Sequence, residues 1–338
     1  RKTLEQGRFE GAEGPQLKEE AMQCNKQSDA FIFHELLAEH NQAFFVSQFA
    51  ELLANHQLQY FGDGNPTRMR VWRFEEETQL VQPDIPIEQP IEKEQWLDQQ
   101  KPVPLRGALL GKQDLSALDQ FRVEVIETCH LASPLVAKTD PPDIHSSTIE
   151  VFIGPREQTV EVADPVLKAA LLILQRNWPA TVGFFELTAL AVEMALGKSV
   201  THQLRRELAE TLLPYFLCGL LEIYSEPLPC ISKIEQHPHA FASARVIASL
   251  RNWTTSAKHE YVPLGPFEQQ LLPLLDGTRD RTELLQAMHQ KLVSGELGIK
   301  EADAWTEAQQ QQAIEQQVDQ SLYFFSEHGL LSASPTDL

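Results

Sequence analysis

Positive charge is scarce in this chain. Against 48 aspartates and glutamates stand 28 lysines and arginines among 338 residues, a formal net charge of −20 with histidine neutral. Such a surface repels nucleic-acid phosphate unless a local basic face overrides it, and it suits basic partners such as lysine-bearing protein surfaces. Cysteine is nearly absent. Cys24, Cys129, Cys218 and Cys230 lie far apart and form no CxxC pair, which argues against a disulfide scaffold and fits a reducing, cytoplasmic setting. No signal-peptide pattern and no apolar run long enough to span a bilayer is found.

Chemical signatures are also missing. A nucleotide turn in a doubly wound sheet needs glycines where the backbone approaches the ligand, then an opening helix and a downstream acidic residue. The nearest cluster, Phe61-Gly62-Asp63-Gly64-Asn65-Pro66, has the wrong spacing and a proline where that helix would begin. P-loop and kinase motifs are absent. His34-Glu35 does not extend to HExxH, because the next histidine is His40, six residues on. Cys129 and His130, if adjacent on a strand, face opposite ways and make no dyad. His237-Pro238-His239 near Cys230 lacks a second close ligand pair and reads as a surface loop. These readings leave no catalytic, cofactor-binding or metal-binding residue.

What the chain does have is apolar material, 42% of its residues with phenylalanine the main aromatic, enough for cores in two or three domains. Residues 1–30 form a polar lead-in. Phe31, Phe33, Leu36, Leu37 and His40 have helical spacing, and a second helix follows over Phe45–Asn55. Leu58–Phe61 reads as extended. Prolines punctuate 67–104, with a short helix over Ile91–Gln100 and another from Asp114. Asp119–His130 alternates like a strand, and the Ser/Pro/Asp-rich 131–147 reads as a linker.

A different pattern then begins. Thr148–Ile153 and Gln158–Val162 make a hairpin across Gly154-Pro155. Helices follow over Val166–Asn177, Phe184–Leu196 and Thr201–Cys218, with a strand at Leu220–Tyr224. That is the order of a winged helix. Related elements return at Tyr261–Leu264, Pro266–Leu275, Thr282–Val293, Ala304–His328 and Leu330-Leu331. Gln309 to Gln312, with Gln316, Gln317 and Gln320, mark a solvated face opposite an apolar stripe of Ile314, Val318, Leu322 and Phe325.

The stretch Phe31–Gly62 resembles the methyltransferase regulatory domain family through Phe33-His34-Glu35, Leu37, Asn41, Phe45, Phe49 and Leu58-Gln59-Tyr60. Phe121-Arg122 and Cys129-His130 fit the same family. Leu271–Leu285 (LLPLLDGTRDRTELL) resembles the C-terminal domain of bacterial protein-lysine methyltransferases. The similarity is strongest at 31–62 and 260–331 and slight over 67–118. It implies an α+β, mainly helical chain, with a regulatory domain at 31–135 and winged-helix-like units at 148–230 and 260–332.

The resemblance further implies an accessory region that is not an enzyme by itself, since no nucleotide turn is found. S-adenosylmethionine would be held by a catalytic domain outside this chain, met in cis or in trans, and the acceptor would be lysine on a protein substrate. The start at Arg1, without methionine, fits a fragment of something longer. His34, Glu35, Asn41 and Tyr60 are the candidate partner or domain-junction contacts. Self-association into a homodimer stays open. The rival reading is a winged-helix DNA-binding regulator, for which Lys198, His202, Arg205 and Arg206 offer a small basic patch diluted by Glu207 and Glu210.

Overall fold

The structure, a computed structural model, describes residues 18, 21–22, 24–27, 29–64, 90–100, 105–116, 123–297 and 306–333. Most of the 1–30 lead-in, the proline-punctuated 67–89, Phe121-Arg122 and the Ala304 start of the last helix lie outside them. The chain divides into two units, one made of 1–64 with 79–117 and the other of 65–78 with 118–338.

In the first unit the expected helix from Phe31 is brief. An α turn at Asp29–Phe31 runs into a π-helix at Ile32–Leu36 that buries no residue. Helix α1 (Val46–Asn55) opens with Gln48 Oε1 accepting from the Phe45 amide at 3.1 Å, which satisfies a free N-terminal donor. Strand β1 (Leu58–Asp63) extends the expected run. It pairs antiparallel with β2 (Ala108–Lys112), which the sequence reading had not anticipated, and the register shifts between Tyr60 and Gly62. The Phe61 ring occupies the space that a Cβ on Gly111 would fill, so any larger residue there would have to displace the ring. Helix α2 (Pro90–Gln100) matches the expected short helix and joins α1 through Ser47 Oγ, which donates to Gln95 Oε1 at 3.1 Å. The helix expected from Asp114 does not start within the described residues, which turn at Gln113–Asp114.

The second unit opens with two corrections. The strand expected over Asp119–His130 is not found in its described part: Val123–Thr128 is a 3-10 helix, and extension begins only at His130–Ala132 (β3). Nor is 131–147 a linker. Leu131, Leu135 and Ile144 lie in the core, and Val136-Ala137 (β4) begins a second sheet. Three apolar anchors outweigh the loop-like composition around them.

Strands β4, β5 (Glu150–Ile153) and β6 (Thr159–Val162) form one antiparallel sheet, closed by the expected hairpin. Helix α3 (Pro165–Asn177) follows, capped by Asp164, whose Oδ1 accepts from the Leu167 amide at 2.7 Å, with proline at the first position. Every residue from Val166 to Leu174 is buried, because the other elements wrap α3 on all sides. The lysine in this run, Lys168, is fully buried, and its Nζ donates to the carbonyls of Ser146 at 2.6 Å and Thr148 at 2.9 Å. Strand β7 (Val182-Gly183), helix α4 (Phe184–Leu196), helix α5 (His202–Leu217) and strand β8 (Glu222–Tyr224) complete a winged-helix-like half. Its sheet order is β7-β3-β8, so the central strand enters from upstream of the three helices. Gly197 ends α4 at φ +61°, in the left-handed region that glycine adopts freely.

The second half has its own core. It contains α6 (Ala242–Leu250), the β9–β10 pair (Trp253–Thr255 with Tyr261–Pro263), α7 (Pro266–Leu271) continued as a 3-10 turn, α8 (Arg281–Val293) and α9 (Glu307–Glu327). Ile314, Val318, Leu322 and Phe325 do line the buried side of α9. Asp280 and Glu283 form a capping box at the start of α8, Asp280 Oδ1 accepting from the Glu283 amide at 2.8 Å and Glu283 Oε2 from the Asp280 amide at 2.9 Å. The chain then returns: Leu331 bridges to Ala240 and Ser332 to Cys230. Among the described residues no helix is long and apolar enough to cross a membrane.

Candidate interaction sites

The described residues of the first unit invert the usual distribution of polarity. Among its described residues the buried apolar side chains are Val46 and Leu53, while Asp63 and Glu94 are 2% and 3% exposed. Phe31, Phe33, Leu37 and Phe45 stand out at 43%, 65%, 69% and 62% exposed. Aromatic and leucine side chains gathered outside, with carboxylates inside, describe a surface made to be covered.

The buried carboxylates are held by Arg106. Its Nη1 donates to Tyr60 Oη at 3.0 Å, Asp63 Oδ2 at 3.2 Å and Glu94 Oε2 at 2.5 Å, and its Nη2 donates to Asp98. Burial, with the Glu94 charge beside it, pushes the Tyr60 hydroxyl up to about 12. The Arg106 guanidinium is held above its usual range by Glu94, Tyr60 and Asp98, against the opposing effect of burial.

Of the expected contact residues, Tyr60 thus belongs to an internal network. His34 and Glu35 sit on the exposed π-turn, and the His34 ring meets Phe33 edge-on at 5.2 Å. Asn41 ties down the end of that turn, its Nδ2 donating to the carbonyls of Glu35 at 2.9 Å and Leu36 at 3.3 Å. Asn41 therefore meets the main chain beside His34 rather than the imidazole. Sequence reasoning missed Arg106, Asp63, Glu94 and Asp98. The available signal was slight: Glu94 and Asp98, four apart on a short helix, share one face.

In the second unit Lys258 plays a comparable part. Its Nζ pairs with Glu222 at 3.1 Å and Glu260 at 3.1 Å and lies 4.6 Å from the centre of the Trp178 ring, joining the two winged-helix-like halves. In the basic patch, Lys198 and His202 are exposed, while the two arginines make contacts within the chain. Arg206 pairs with Glu210 at 2.9 Å, and Arg205 lies 4.7 Å over the Phe185 ring. Cys129 is buried, its Sγ donating to the Val125 carbonyl. His239 does not sit on a free loop: its ring Nδ1 is 2.8 Å from Ser332 Oγ, and Pro238 before it is buried. Among the described residues no group of three histidines, cysteines or carboxylates could hold a metal ion.

Residues 28–111 match the family described as "Predicted methyltransferase regulatory domain", and residues 236–330 match "PKMT, C-terminal winged helix domain". An uncharacterized protein, RP789, of Rickettsia prowazekii is 23% identical over 291 residues, 84% of this chain and 52% of its own length. The chain thus spans about half the length of that curated relative. PKMT2 from Rickettsia typhi superposes with a TM-score of 0.79 at 18% identity, covering 98% of this chain and 67% of that one. The same protein in complex with AdoHcy gives 0.78 at 19% identity, covering 96% and 65%. These matches liken residues 28–111 to a predicted methyltransferase regulatory domain and residues 236–330 to the PKMT C-terminal winged helix domain, on a fold similar to that of rickettsial PKMT2.

Proposed function

We propose that this chain is the non-catalytic regulatory and substrate-recognition region of an S-adenosylmethionine-dependent methyltransferase acting on protein lysines in the cytoplasm. The catalytic domain lies outside it, and the methyl donor is bound there. The observation that carries this reading is the first unit's polarity, with Phe31, Phe33, Leu37 and Phe45 exposed over buried Asp63 and Glu94, within the stretch that matches the regulatory domain family. A second body of protein covering those side chains would remove a large apolar surface from water, at about 25 cal/mol per Å².

Two further facts support it. The described strands pair antiparallel throughout, in sheets of two or three, whereas a class I cofactor site is built on a doubly wound parallel sheet. This chain also covers only 65% of the PKMT2 chain solved with AdoHcy, which leaves room elsewhere in such a protein for the donor. Its role in the reaction is then positioning: holding an acceptor amine in line with the methyl group replaces an improbable encounter with a prearranged one.

Isothermal titration of the chain with S-adenosylmethionine tests the reading. No heat of binding is expected. Stoichiometric uptake by this chain alone would place the donor among these helices and overturn it.

A further inference from the structure

Two open cavities in the second unit run into one another. One, of about 770 Å³, lies between α8 and α9 and is lined by Leu285, Val293 and Ile314 with Glu307 and Glu315. The other, of about 580 Å³, is lined by Ile234, Leu322 and Tyr323 with Glu235, Asp280 and Asp319. Both include Arg281 and Thr282, so together they form one groove across the start of α8. At that midpoint Arg281 makes two bonds to Asp319, at 2.9 and 2.8 Å.

The groove has three kinds of lining. Val293 and Tyr323, 72% and 61% exposed, offer apolar contact. Gln286, Gln290 and Gln311 each present an amide that both donates and accepts, suited to the main chain of an extended segment. Charge is the third. Five carboxylates line the two cavities, Glu235, Asp280, Glu307, Glu315 and Asp319, against the single guanidinium of Arg281. Arg281 is itself held protonated by Asp319, with Glu315 adding to the effect. The lysine of α8, Lys291, is engaged elsewhere, donating to Gln270 and Glu296 at 3.0 Å each. The lining of the groove therefore combines apolar side chains, glutamine amides and an excess of carboxylates.

We infer that this groove binds an extended, lysine-bearing polypeptide segment, its main chain against the glutamines and its ammonium groups against the lining carboxylates. The occupant is a basic peptide because the lining carries an excess of negative charge that an acidic or phosphate-bearing ligand would oppose. Helix α8, 13 residues long, is about 20 Å at 1.5 Å per residue. It matches roughly six residues of extended chain at about 3.3 Å each. That this peptide belongs to the methyl-acceptor protein rests on the function proposed above; the binding itself does not.

The test uses the whole chain and a fluorescent peptide of about ten residues, lysines alternating with alanine and valine, so that it exceeds the extended length of the groove. Anisotropy should show binding that weakens as salt rises. The same peptide with glutamate for lysine should not bind. In the double variant Glu307→Lys with Glu315→Lys, affinity should fall by about tenfold or more, equivalent to at least 1.4 kcal/mol. Glu157→Lys, on the β5–β6 hairpin and outside the groove, should leave affinity unchanged. Circular dichroism and the melting temperature of the double variant report whether it is folded. If it does not fold, Leu285→Ala takes its place and should weaken the peptide by severalfold. Absence of binding, equal binding of the glutamate peptide, or undiminished binding by a folded groove variant would each overturn the inference. None of these outcomes bears on the donor titration, so the two ideas fail separately.

Discussion

Arg106 shows how much one residue can hold together. Three carboxylates and a phenol converge on its guanidinium, and two of those carboxylates, Asp63 and Glu94, are buried in a unit with few buried apolar side chains among its described residues. Replacing Arg106 with methionine preserves much of the stem's volume but leaves the carboxylates facing one another. Breaking a buried ion pair from one side costs about 3–5 kcal/mol. Amide hydrogen exchange across β1 should therefore speed up in Arg106→Met at neutral pH. An exchange rate equal to the parent's would mean that the network contributes little. Beyond the Glu94–Asp98 spacing, little in the sequence pointed to this centre. Its members come from β1, α2 and the segment before β2, and a network assembled across elements leaves little local spacing to recognise.

At the scale of the element, the turn before α8 is the best-defined local device. Burial pushes the Asp276 carboxyl up, yet the Thr278 hydroxyl and amide and the Arg279 guanidinium outweigh it and hold the group at about 2. A carboxyl depressed in the folded state stabilises the fold above its unfolded value and loses that contribution as pH falls through the folded one. Asp276→Asn should therefore flatten the dependence of melting temperature on pH between about 4 and 2. An acid limb identical to the parent's would exclude Asp276 as its source. Gly277, at φ +80°, belongs to the same turn.

The apolar stripe of α9 was legible because helical spacing is local: Ile314, Val318, Leu322 and Phe325 stand where that spacing put them. The misread elements have the opposite character. Residues 131–147 look like a linker because proline and serine outnumber the apolar anchors, and only the tertiary fold reveals that Leu131, Leu135 and Ile144 are core. The Phe31 helix failed for a related reason. None of Ile32–Leu36 is buried, and most helical stability comes from the packing of an apolar face.

Across the second unit, Lys258 links two halves that have separate cores. Its side chain is 8% exposed, between Glu222 of the first half and Glu260 of its own, with the Trp178 face beneath. Lys258→Ala should remove about 1.5–3 kcal/mol of charge-assisted bonding between the halves. Calorimetry should then show the single transition of the unit broadening or splitting, with a change in tryptophan fluorescence; one unaltered transition would mean that Lys258 adds little beside the contacts of the returning tail, whose bridges reach Ala240 and Cys230. Those bridges have a chemical corollary. Cys230 lies beneath the returning tail, 5% exposed and paired through its backbone with Ser332, and burial pushes its thiol up to about 11. A sulfur so protonated and so shielded is nearly inert to alkylating reagents. Its reactivity is consequently a clock for undocking of the tail: each modified Cys230 records one occasion on which that segment let go.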